Sequence, residues 1–257
     1  MIGAPLFFIH GMWSTPAAFA GLRTRLELGG RTTVAPALPF HDRPPEAPAA
    51  AQLGTIGLED YILFLVDEIA RLPEKPIIAG HSMGGFLAQA VAARVGAPGL
   101  ILFAPGAIAG TSLAAFAQLG TLMGVMRHWG WWEQPTKIDP AHARSGLYNE
   151  VPTAEADLQI ASHVWDSGRV LFEMGFPWLT RTQATRVDYS RLTMPTLVIV
   201  GDHDRTTIPA IARATARRIA GPVDYNEIPA AGHWLWYGAT EAQVGTIVER
   251  WLAALPD

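Results

Sequence analysis

Residues 76–89 read PIIAGHSMGGFLAQ, and few backbone paths can satisfy that string. Pro76, Ile77, Ile78 and Ala79 form a buried-strand signal, the following FLAQAVAARV is a helix whose small alanines let it lie close on a sheet, and a tight turn must join them. Gly80 and Gly84, two residues before and two after Ser82, suit that turn because a side chain at either position would collide where strand and helix converge. Ser82 is then pushed outward by a strained backbone, beside the N–H groups that open a helix. The pattern G-x-S-x-G is short enough to arise by chance in an ordinary loop. The rest of the chain has to say whether Ser82 is a nucleophile or a small polar residue in a glycine-rich turn.

The surrounding pattern repeats the strand-then-helix unit. Short apolar runs at 5–10, 32–36, 76–80, 99–104, 195–201 and 223–229 are strand candidates, and helices are expected at about 16–28, 57–72, 83–95, 208–220 and 240–254. In 57–72, Leu58, Ile62, Leu65, Val66 and Ile69 recur at three- and four-residue steps, so one stripe faces a core. Strands buried on both faces and separated by helices predict an α/β fold: a mostly parallel, doubly wound sheet of about six strands. With 257 residues, 49% of them hydrophobic and 16% charged, the chain can bury one large core.

Several function classes fall away on composition. A net charge of −4 offers no basic surface, so no nucleic-acid partner is expected. The absence of cysteine rules out disulfides, a thiolate nucleophile and a zinc site built on sulfur, and none of the eight histidines stands in an HxxxH or HxH spacing. No metal and no cofactor are therefore expected. MIGAPLFFIHGM lacks the basic start and small-residue cleavage site of a secretory signal, reads as a strand, and gives a cytoplasmic expectation. The apolar stretch at 100–126 approaches membrane-span length, but Pro105, Gly106, Gly110, Thr111, Ser112 and Gln118 interrupt it. A buried strand followed by a separate helix is the expected reading, with no stable membrane insertion.

The alternation stops between about 105 and 190. This helix-rich stretch reads as an insertion after the fourth strand, dividing the chain into a core of 1–104 and 191–257 and a helical cap of 105–190. It carries Leu113, Phe116, Leu119, Met123, Met126, Trp129, Trp131, Trp132, Phe172, Met174, Phe176 and Trp178. At helical spacing any one of these is ordinary core, but a few short helices have little core of their own, so some rings should face a pocket. Trp129, Trp132, Phe176 and Trp178 are the pocket candidates from this stretch, with Trp13 and Trp234 from outside it. Arg127, His128 and Arg144 are read as solvated.

A serine hydroxyl attacks at neutral pH only if a neighbouring base takes its proton and something orients that base. His233, in PAAGHWLW after the last strand candidate, would share the carboxyl edge of the sheet with Ser82. Asp202 and Asp204, in VIVGDHDRTTIP, compete to orient it. A residue at the strand's immediate end tends to cap backbone, whereas one two residues further can reach the next loop, which favours Asp204 and leaves Asp202 as the alternative. A tetrahedral intermediate also needs two donors. The N–H of Met83 is one by position, and FFIHGMW supplies the other: Gly11 lets backbone approach, Met12 points its N–H at the same spot, and His10 shapes the loop.

HGMW at 10–13, GHSMGG at 80–85, GDHD at 201–204 and GH at 232–233 together resemble the α/β-hydrolase superfamily over nearly the whole chain. The resemblance implies the triad Ser82, Asp204 and His233, a lid of helices over the site, and a carboxylesterase-like serine hydrolase acting on a small apolar or aromatic ester or lactone. Family members often begin with two further strands; the short start here is similar to plant methylesterase-like and hydroxynitrile-lyase-like members. Dehalogenase and epoxide-hydrolase relatives carry an aspartate where Ser82 stands, and a plant-type lyase would want lysine where Trp234 stands. Carbon–carbon bond hydrolysis and cofactor-free perhydrolysis use a similar triad and remain alternatives, as does a ligand-binding protein on a hydrolase scaffold.

Overall fold

The computed structural model describes residues 3–106, 123–126, 128–180 and 185–255. Strands β1 (Leu6–Ile9), β2 (Thr33–Val34), β3 (Ile77–His81), β4 (Leu100–Phe103), β7 (Thr196–Gly201) and β8 (Val223–Ile228) form one sheet in the order β2-β1-β3-β4-β7-β8. Every neighbouring pair in it is parallel, with Leu6 opposite Ile77, Ile78 opposite Leu100, Leu100 opposite Thr196 and Thr196 opposite Val223. A second, two-residue antiparallel ribbon pairs β5 (Pro135–Thr136) with β6 (Asp166–Ser167).

Seven helices of eight or more residues are described: α1 (Ala20–Leu28), α2 (Leu58–Ala70), α3 (Met83–Val95), α4 (Thr153–Ala161), α5 (Gly168–Gly175), α6 (Pro209–Ala216) and α7 (Gly238–Ala254). The two-residue period of the strands distributes the core. Leu6, Phe8, Ile77, Ala79, Ile101, Phe103, Leu197 and Ile199 pack with α1 and α7 on one face. Phe7, Ile9, Ile78, Leu100, Leu102, Val198 and Val200 pack with α2, α3 and α6 on the other. Each fully buried Leu, Ile or Phe side chain contributes about 1.5–3 kcal/mol relative to exposure, which is why a sheet covered on both sides needs continuous apolar strands.

Strand β1 sits between β2 and β3, so the chain turns one way from β1 and the other way from β3. The crevice at the carboxyl ends of those two strands is the topological switch point, where open α/β sheets bind ligands.

Differences from the sequence expectation are local. The second strand shrinks to two residues, the first helix opens with a 3₁₀ turn at Pro16–Phe19, and α6 ends at Ala216. Between β4 and β7 the described residues form α4, α5, short helical turns and the ribbon. The ribbon escaped sequence reading because two-residue strands have no measurable period. Glu173 on α5 ties this stretch to the sheet layer: its Oε2 accepts the Leu58 N–H at 2.7 Å, placing a carboxylate on the N-terminus of α2. Leu113, Phe116, Leu119 and Arg127, and the helix expected after β4, lie outside the described residues. Among the described residues, no helix is long and apolar enough to cross a membrane.

Candidate active site

Ser82 occupies the single-residue turn between β3 and α3, with φ 57° and ψ −121°. A non-glycine residue held there carries about 1–3 kcal/mol of strain, and the turn is pinned from several sides. The Ser82 N–H donates to the Phe103 carbonyl at 3.0 Å, and its own carbonyl accepts from Gly85 (2.9 Å), Phe86 (3.2 Å) and Gly106 (2.7 Å). A Cβ on Gly80 would strike the Gly84 carbonyl, and one on Gly84 would strike that of Ile9. Bare backbone at both places lets the turn close.

His233 leaves the loop after β8 and places Nε2 2.9 Å from Ser82 Oγ and Nδ1 2.8 Å from Asp204 Oδ2. The carboxylate can only accept, so Nδ1 carries the proton and Nε2 accepts from the serine hydroxyl. Asp204 is buried, and its Oδ1 accepts the N–H groups of Thr206 and Thr207 at 2.8 Å each. The Thr207 hydroxyl adds a donor at Oδ2, also 2.8 Å away. Burial is the largest influence on this carboxyl and by itself raises it, but the His233 charge and the hydrogen bonds from His233 and Thr207 hold it below its ordinary value. Asp202 is exposed and lies 3.9 Å from His203 Nε2, away from the buried chain of contacts.

His81 supports the same loop. Its ring packs 4.9 Å from that of His233, and its Nε2–H donates to the His233 carbonyl at 3.0 Å. Burial, then the nearby His233, lowers its pKa to about 3, so it stays neutral.

The loop after β1 approaches Ser82 from the other side, and a Cβ on Gly11 would stand 3.1 Å from that of Ser82. His10 is buried; Nδ1–H donates to the Gly11 carbonyl at 2.9 Å, while Nε2 accepts the Leu38 N–H at 3.1 Å. The Gly11 carbonyl and the Met12 N–H belong to one peptide plane, so gripping the first aims the second the opposite way. Burial, then the charge of His41, lowers His10 to about 3 and keeps it neutral.

A second buried histidine–carboxylate pair lies behind this loop. His41 Nε2 is 3.0 Å from Asp166 Oδ2, close enough for an ion pair when the ring is protonated. His41 Nδ1 lies 3.0 Å from the Pro39 carbonyl, so acceptors face both nitrogens. Burial lowers the His41 pKa, but the Asp166 charge, its hydrogen bonding and the Pro39 and Leu38 carbonyl groups outweigh that and raise it.

Met12, Met83, Ser82 and His233 line a cavity of about 70 Å³. Trp13 and Trp234 line it as well, and its apolar wall is completed by Leu147, Tyr148, Leu171 and Met174. Trp129, Trp132, Phe176 and Trp178 are not among the lining residues. Trp129 is 91% exposed and Trp178 66%, while Trp132 and Phe176 pack with Trp131 and Phe172 in an aromatic cluster beside the cavity. His128 is exposed and Arg144 pairs with Asp157. Thr207, Tyr148, His41 and Asp166 were not foreseen from sequence. Thr207 follows Asp204 by three residues and could have been found as a turn donor; the other three act through contacts that carry no local signal.

A family model described as the alpha/beta hydrolase family matches residues 6–244. No match is found among curated proteins. Similar solved structures include a methylesterase from Arabidopsis, 13% identical with a TM-score of 0.73, the alignment covering 98% of this chain and 99% of that one. A pyrethroid hydrolase from Sphingobium faniae is 21% identical with a TM-score of 0.71, covering 98% of both chains. A monoacylglycerol lipase from Paleococcus ferrophilus is 20% identical with a TM-score of 0.62, covering 98% of this chain and 96% of that one.

Proposed function

The chain belongs to the α/β-hydrolase family, and from that premise we propose that it is a serine hydrolase cleaving a small carboxylic ester or lactone with an apolar or aromatic group. The observation that carries this reading is the unbroken line from Ser82 Oγ through His233 to buried Asp204, opening on an apolar cavity. The similar structures are named a methylesterase, a pyrethroid hydrolase and a monoacylglycerol lipase, which agrees with ester hydrolysis and leaves the substrate open.

Ser82 Oγ attacks the ester carbonyl carbon as its proton passes to His233 Nε2. The negative charge that develops on the carbonyl oxygen is met by the N–H groups of Met12 and Met83. Met83 opens α3, so its amide is one of those a helix leaves unpaired. The tetrahedral intermediate collapses to an acyl-serine as His233 returns the proton to the departing alcohol. A water molecule then repeats the sequence: His233 takes its proton, the hydroxide attacks the acyl carbon, and Ser82 leaves reprotonated with release of the acid. Asp204 remains ionised throughout and holds the imidazolium. Residues 105–190 serve as the cap in this reading, supported by the contribution of Leu147, Tyr148, Leu171 and Met174 to the cavity wall.

A fluorophosphonate tests the proposal. Intact mass should rise by one phosphonyl group in the wild type and not in Ser82→Ala, and the wild type should turn over p-nitrophenyl butyrate. Folded wild-type protein with neither adduct nor turnover would remove the reading.

A further inference from the structure

Asp166 lies on the ribbon strand β6, outside the proposed catalytic line, yet it is fully buried and its carboxylate meets four groups. Oδ1 accepts the Tyr61 hydroxyl at 2.8 Å and the Ser167 N–H at 2.7 Å. Oδ2 accepts the Trp13 N–H at 3.0 Å and lies 3.0 Å from His41 Nε2. Two residues earlier, the Val164 N–H donates to the Trp13 carbonyl at 2.9 Å. Segment 164–166 therefore clasps both backbone polar groups of Trp13, a bulky residue held at φ 57°. Such a conformation persists only where its surroundings over-determine it.

Met12 is the immediate neighbour. His10 holds the Gly11–Met12 peptide plane through the Gly11 carbonyl, and Asp166 holds the next plane, Met12–Trp13, through the Trp13 N–H. With two consecutive planes fixed, the torsions at Met12 have no freedom left to swing its N–H away from Ser82. We propose that Asp166, anchored by His41 and Tyr61, is a positioning residue that keeps the Met12 amide aimed at the developing oxyanion and so couples segment 164–166 to the chemistry at Ser82. This rests on the serine-hydrolase reading above. The carboxylate suits the task because a charged acceptor fixed by donors on both oxygens grips an amide more firmly than a neutral one. Its charge is offset by His41, and Tyr61 and the Ser167 amide leave Oδ1 no reason to rotate.

The test is kinetic. In the full chain, Asp166→Asn keeps the shape and one acceptor and loses the charge. For p-nitrophenyl butyrate, kcat should fall by about 10- to 100-fold while KM stays within about twofold, the signature of a transition-state contact. A trifluoromethyl ketone, whose adduct with Ser82 places an oxyanion at the same amides, should lose inhibition by the same factor as kcat/KM. Asp166→Ala should lose more. Unchanged kcat in a folded Asp166→Asn protein, or a rise in KM alone, would overturn the proposal. Should both variants fail to fold by circular dichroism, Tyr61→Phe removes only the hydroxyl on Oδ1. It should lower kcat and trifluoromethyl ketone affinity together by about threefold or more, and no change in either would overturn the proposal. If Ser82→Ala kept wild-type turnover, the hydrolase reading would fail first and this proposal with it; if Ser82→Ala were dead and Asp166→Asn fully active, only the positioning role would fall.

Discussion

Two buried histidine–carboxylate pairs flank the Ser82 turn, and they are alike in nearly everything except what faces the far nitrogen. His233 is 2.8 Å from Asp204, and its other nitrogen meets a serine hydroxyl. His41 is 3.0 Å from Asp166, and its other nitrogen meets the Pro39 carbonyl. A hydroxyl can give up a proton, so the first pair is suited to pass one; a carbonyl can only accept one, so the second pair favours its charged form. Burial and pairing do not by themselves make a base. The third atom decides.

That contrast can be broken in several ways. Replacing Ser82 or His233 by Ala should lower kcat about 10⁶-fold, while each protein keeps its far-UV spectrum. Asp204→Asn should cost about 10⁴-fold, because the amide carries no charge to hold the imidazolium and can offer Nδ1 an N–H that selects the wrong tautomer, and exposed Asp202→Asn should leave turnover within about twofold. The two aspartates should converge on stability, since Asp166→Ala and Asp204→Ala each leave a buried partner stranded. Denaturant titration should read a loss of about 3–5 kcal/mol in each.

Acid sharpens the comparison further. Burial lowers His10 and His81 to about 3, and it lowers His163, buried with Nε2 2.8 Å from the Tyr148 hydroxyl, to about 4, against an ordinary 6.5. Below 6.5 the unfolded chain binds their protons and the folded one does not, so the melting temperature should fall steadily from pH 6.5 to 4. His41 has the opposite sign: its raised value means a contribution fully present below 6.5 and lost as pH rises through its folded pKa. Melts from pH 7 upward should decline in the wild type more than in His41→Gln. A smaller loss is expected from Thr207→Val, which removes one donor from Asp204 Oδ2 and should lower kcat by about fivefold, the worth of roughly 1 kcal/mol.

The legible part of this molecule is its sheet. Strands such as Leu100–Phe103, buried on both faces, announce themselves as apolar runs, and Gly80 and Gly84 mark the turn because no other residue fits between strand and helix. The contacts joining Ser82, His233 and Asp204 could be anticipated from strand ends because a parallel sheet brings the loops after β3, β7 and β8 to one edge. The His41–Asp166–Tyr61 network could not. His41 lies in an irregular loop, Asp166 on a two-residue strand, and nothing in either neighbourhood states that they meet. Aromatic residues between β4 and β7 were legible as a kind but not as a direction. In short turns and loops without a sustained period, Trp129 and Trp178 can face solvent as readily as a pocket, whereas Leu147 and Met174 take the wall.

The separation along the chain of the groups that meet at Ser82 bears on how the protein is made. Ser82 and His233 stand 151 residues apart, and Trp13 and Asp166 are separated by 153. During synthesis, a chain that has emerged through the loop after β7 already carries Ser82 and Asp204, yet lacks His233, the base of the proposed mechanism. Because parallel pairing closes its long loops late, activity should be the last property a refolding chain regains, after its helical signal has returned. On the proposed mechanism, the arrival of turnover acts as a clock for the docking of β8 and the loop behind it, and every earlier intermediate is chemically silent.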